Sequence, residues 1–91
     1  MEQLVDTYLL HLKVERGLAQ NTLDSYRRDL TKFVRYLSRQ GVVDFEQVDR
    51  REIMSFMEGL HNSGRAAATI SRNLAAIRSF YGFLSQENLV K

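Results

Sequence analysis

RAAATISRNLAAIRSFYGFL, residues 65–84, is the stretch whose reading decides the fold. Placed on a helical wheel at about 100° per residue, Ile70, Leu74, Ile77, Tyr81 and Leu84 fall on one narrow face, with Phe80 at its edge. The opposite face carries Ser71, Arg72, Ala75, Arg78, Ser79 and Gly82, so it is cationic, small-sided and free of acid. Such a helix can pack its apolar stripe inward and lay its basic back against something anionic. The other segments read as support for this helix, plus a second helix of the same design.

That second helix is expected over residues 21–39, with Asn21 as N-cap and Leu23, Tyr26, Leu30, Phe33, Val34 and Leu37 inward. Its outer face carries Arg28, Lys32, Arg35 and Arg39, a straight basic stripe. A first helix over 2–16 has Leu4, Val5, Tyr8, Leu9 and Leu12 as its apolar arc and Gly17 as its stop. Asp44 and Gln47 suggest one short turn, and Asp49 with Glu52 spells a capping box that opens a third helix over 49–62. Ile53, Phe56, Met57 and Leu60 form its core face, and Gly64 ends it before the fourth helix at 66–86. The predicted common core holds Tyr8, Leu30, Phe33, Ile53, Phe56, Leu74, Ile77 and Tyr81.

The chain has 91 residues, 44% of them hydrophobic and nine aromatic, enough for one small compact domain and against disorder. It has no cysteine, which excludes disulfides and thiolate metal sites. No stretch approaches the length of a membrane span, and MEQLVDTY carries acids where a signal peptide would be basic. Export is therefore not expected, and the reading is cytoplasmic. The net charge of +2 conceals an uneven distribution. Residues 22–40 sum to +3 (Arg27, Arg28, Lys32, Arg35 and Arg39 against Asp24 and Asp29), whereas residues 42–48 sum to −2.

Nothing in the chain forms a catalytic constellation. His11 and His61 stand alone, without metal-ligand spacing, and no glycine-rich phosphate loop is present. Tyr8, Tyr26 and Tyr81 lie on apolar faces, and nothing beside Tyr36 would activate a phenol. No cofactor, metal or small-molecule substrate is expected. The two basic helices favour nucleic acid instead. Each begins with small polar residues, Asn21, Thr22 and Ser25 in one and Thr69 and Ser71 in the other, suited to phosphates. Arg72 occupies the early turns, from which a recognition helix reaches base edges in a major groove.

AQNTLDSYRRDL at 19–30, followed by Phe33, Tyr36 and Leu37, resembles the second helix of the tyrosine recombinases. TISRNLAAIRSFYGFL at 69–84 resembles the fourth helix of the same domain, most closely that of the Xer-type enzymes. The resemblance spans essentially the whole chain. It implies an all-α, four-helix, SAM-like core-binding domain with helices in crossed pairs, occupying residues 1–91 as the N-terminal half of a clamp around DNA. It further implies sequence-specific binding of a double-stranded recombination site, with other recombinase protomers as partners in a tetramer and chromosome dimer resolution as one possible role of the parent enzyme. Carried over by position, it puts Asn21, Thr22, Ser25, Arg27 and Arg28 at the DNA, and on the fourth helix Ala68, Thr69, Arg72, Asn73 and Ala76. Lys32, Arg35 and Arg39 come from the basic stripe alone. The family's catalytic residues belong to a C-terminal domain that nothing here matches, so the chain reads as a non-catalytic part of a longer recombinase. Two other readings are a helical protein-interaction module and a helix-turn-helix regulator; the latter is disfavoured because a whole helix separates the two basic ones.

Overall fold

The computed structural model describes residues 1–90. Four helices follow one another: α1 (Glu2–Arg16), α2 (Gln20–Arg39), α3 (Arg50–Asn62) and α4 (Ala67–Gln86), with one 3-10 turn at Phe45–Gln47 before α3. The ends lie within a residue of those read from the sequence. Local chemistry explains most of them. Asp49 accepts from the amides of Arg51 and Glu52 while the Glu52 side chain accepts from the Asp49 amide, which completes the capping box of α3. Asp44 caps the 3-10 turn through the Glu46 amide. Gly41 and Gly64 adopt left-handed backbone at φ +78° and +82°, and the amides after them close on Leu37 and Leu60.

Asn21 does not cap α2. That helix starts one residue earlier, from an extended Ala19 with no side-chain cap, and α4 likewise starts from an extended Ala66. Both basic helices thus leave their first amides without a side-chain partner, whereas α3 does not.

The core runs through all four helices. Tyr8 of α1 packs edge-on against Phe80 and tilted against Phe83 of α4, each at 5.3 Å between ring centres. Phe45 stacks edge-on to Phe80 at 4.9 Å, and Phe33 of α2 meets Phe56 of α3 at 5.3 Å. Partly buried hydroxyls find partners: Tyr8 and Ser79 are 2.6 Å apart, and Tyr81 donates to the Phe45 carbonyl at 3.1 Å.

Helix α4 is turned relative to the expected stripe. Asn73, Ala76, Ile77, Phe80, Phe83 and Leu84 are its buried residues, while Ile70, Leu74 and Tyr81 are only half-buried. Ile53 of α3 and Tyr26 of α2 are half-buried too, although both were expected inside. The reason is geometric. α4 contacts α1, α2 and α3 at once, so a broad arc is enclosed. The small residues occupy its centre, and the bulky stripe forms one wall of an open groove against Ile53 and Met54.

Candidate nucleic-acid interface

The two basic helices meet at one ion pair. Arg72 of α4 donates from Nε to Oδ2 of Asp29 at 2.8 Å and from Nη2 to Oδ1 at 2.9 Å. Asp29 lies within α2 and is only 2% exposed, while half of the Arg72 side chain remains in solvent. The carboxylate raises the Arg72 pKa, first by hydrogen bonding and then by its charge, so the guanidinium stays a cation. The pair seats Arg72 against α2, one residue along from Arg28. Arg28 is exposed and donates to Ser25 Oγ at 3.2 Å.

A second basic region lies farther along α2. Lys32, Arg35 and Arg39 line a groove with Arg65, just before α4, together with Tyr36, Phe56 and Ser63. None of the described residues that line this groove is an acid. Among the described residues, none of its four cations forms an ion pair. The sequence reading includes Arg65 at the head of the 65–84 stretch but gives it no role, because it belongs to no periodic stripe. Its place directly after Ser63 and Gly64, at an uncapped helix start, was the only signal.

The remaining candidates divide clearly. Asn21, Thr22 and Ala68 are exposed, and Ser25 and Thr69 are half-buried near the starts of α2 and α4. Arg27 instead lies on the α1 side of α2, where it donates to Asp6 at 2.7 Å. Asn73 and Ala76 are corrected by the fold: both have no solvent exposure and cannot touch a ligand on the surface. Asn73 donates to the Thr69 carbonyl at 2.9 Å, and its Oδ1 has no partner. Their small size suits helix contact, and on the wheel they border the bulky stripe on its inner side.

Burial raises the pKa of both Tyr8 and Tyr81, the opposite of activation. Among the described residues no cluster of three or more acids and histidines could hold a metal, and no helix is long and apolar enough to cross a membrane.

Comparison with known proteins agrees with this architecture. Over 90 residues the chain is 38% identical to a tyrosine recombinase XerD of Oceanobacillus iheyensis, covering 98% of this chain and 30% of that protein. It is 36% identical over 89 residues to a tyrosine recombinase XerC of Pseudomonas syringae pv. tomato, with the same coverage of each. A XerD of Staphylococcus haemolyticus is also 36% identical, over 87 residues, 96% of this chain and 30% of its own. The chain therefore spans about 30% of the length of these curated relatives. No solved structure gives a significant match. The family model of the phage integrase N-terminal SAM-like domain matches residues 5–88, and the chain belongs to that family.

Proposed function

We propose that this chain binds double-stranded DNA as the N-terminal half-clamp of a site-specific tyrosine recombinase that works in the cytoplasm. The observation that carries this reading is the groove of Lys32, Arg35, Arg39 and Arg65, four cations with no acid among them. Unpaired cations on one surface release condensed counterions from a phosphate backbone, which gives affinity without regard to sequence. Uncapped amides at the starts of α2 and α4, with Thr22, Ser25 and Thr69 beside them, add donors for phosphate oxygens. The domain's longest dimension, 36 Å, is about one turn of B-DNA. Recognition of a particular site falls to Arg72, and strand exchange falls to a catalytic domain in the parent protein, acting with further protomers.

The test is the affinity of the chain for a mixed-sequence duplex as salt is varied. Binding should weaken linearly on a log–log plot, and Arg35→Ala should reduce the slope by about one unit if that side chain contacts a phosphate. Binding that ignores salt would remove the DNA reading.

One observation favours a second reading. The groove between α3 and α4 is lined by Val48, Ile53, Met54, Leu74, Ile77 and Tyr81, with Asp49, Arg50 and Arg78 beside them, and Met54 is 48% exposed. A protein partner could cover that surface, as an interaction module requires. Salt-independent association there, without any DNA affinity, would favour it.

A further inference from the structure

Asp29 lies in the interior of α2, almost wholly out of water, and the two hydrogen bonds it accepts both come from Arg72. A buried carboxylate is costly, and packed apolar side chains could seal the α2–α4 contact equally well. The geometry of the pair is what apolar packing could not supply. Arginine carries five N–H donors in one plane. Asp29 takes the Nε–Nη2 side, which leaves both hydrogens of Nη1 and one of Nη2. One hydrogen of Nη1 and the free one of Nη2 form the end-on fork that can meet two acceptors of one base edge, such as O6 and N7 of guanine.

Charge separates this place from the groove. The Asp29–Arg72 pair is neutral as a unit, so it attracts a phosphate weakly, and its carboxylate opposes one. Base-edge acceptors carry only partial charges and select by direction. The unpaired cations of the groove suit phosphate; the directed, neutralised fork suits a base.

We propose that Asp29 is a positioning residue for sequence readout, fixing the Arg72 guanidinium so that its free end is presented to a base edge in the major groove. This rests on the DNA-binding reading above. Because the side chain is already held, the rotamer freedom of Arg72 is lost on folding rather than on binding. The carboxylate simultaneously lowers attraction for arbitrary sequence, so one residue sharpens discrimination from both sides.

The test compares the wild-type chain, Asp29→Asn and Arg72→Lys by fluorescence anisotropy at low salt. The probes are two short duplexes, one enriched from a random-sequence library by the wild-type chain and one of mixed sequence. In Asp29→Asn, preference for the enriched duplex should fall about tenfold, while binding to the mixed duplex strengthens and its salt slope steepens. Arg72→Lys, which cannot form the fork, should lose the preference as well. Equal weakening on both duplexes in Asp29→Asn would reduce Asp29 to a structural role and overturn the proposal. An unchanged preference would overturn it too, as would a wild-type chain that binds with salt dependence yet enriches no sequence. If Asp29→Asn does not fold, as judged by circular dichroism, Arg72→Lys decides: a retained preference overturns the proposal. A wild-type chain that binds neither duplex removes the DNA reading itself, a result distinct from the others.

Discussion

The Asp29–Arg72 crossing and the groove of Lys32, Arg35, Arg39 and Arg65 draw their charges from the same two helical regions, under opposite circumstances. At the crossing a cation is tied to a buried acid and its orientation is fixed. In the groove four cations share a surface with no acid to hold them. The first arrangement links charge to the fold, so altering it disturbs both. In the groove, charge can change while the fold stays as it is. Stability and binding measurements should therefore separate the two regions cleanly.

The largest effect is expected at the crossing. Arg72→Ala strands a buried carboxylate and should cost about 2–3 kcal/mol, less than breaking a fully buried pair because half of the arginine is already in water. Asp29→Ala should cost less, since the freed guanidinium can turn to solvent and hydrate. Urea unfolding of the two variants checks the asymmetry; equal costs would mean that the pair is not buried from the α2 side.

Effects in the groove should appear in binding alone. Arg35→Ala and Arg39→Ala should each leave stability within about 0.5 kcal/mol of wild type. Each should also lower the salt slope for mixed-sequence duplex by about one unit per lost phosphate contact. A drop in thermal midpoint comparable to that of Arg72→Ala would erase the distinction between the regions.

The smallest effect belongs to the exposed acid at the start of α3. The Asp49 carboxyl is drawn down to about 2, first by the proton that a neutral Glu52 carboxyl can donate to it and then by the amides of Arg51 and Glu52. A carboxyl held below its ordinary value supports the fold above that value and loses this support as pH falls through about 2. Helix α3 should thus stay capped down to about pH 2, followed through the Glu52 amide by NMR, and Asp49→Asn should abolish the titration of that signal near pH 2. Arg51, beside Asp49 at 3.3 Å and 92% exposed, should be replaceable by alanine with no measurable change.

Local signals explain what could be read in advance. Asp49 and Glu52 at capping-box spacing, and glycines after three helices, placed the ends correctly because those effects act within a turn of the chain. The resemblance puts Asn73 and Ala76 at the DNA, and a single-helix wheel, which rewards bulk, gives no sign that a helix touching three neighbours encloses such small residues. The Asp29–Arg72 pair spans 43 positions, far beyond any helical repeat, so Arg72 looked like a free cation on a basic back. Arg65 joined the groove only because the turn after α3 brings it beside α2.

The connections themselves have a kinetic consequence. Residues 17–19 join α1 to α2, and residues 63–66 join α3 to α4, so each helix pair is closed by a very short loop. Short loops make the search for a partner helix local, and helical domains of low contact order fold in microseconds to milliseconds. The chain contains no proline, so no slow prolyl isomerisation can interrupt that search. The contacts between the two hairpins, Asp29 with Arg72 at 43 positions and Tyr8 with Ser79 at 71, must wait for both to form, so the α2–α4 crossing should take its final form late.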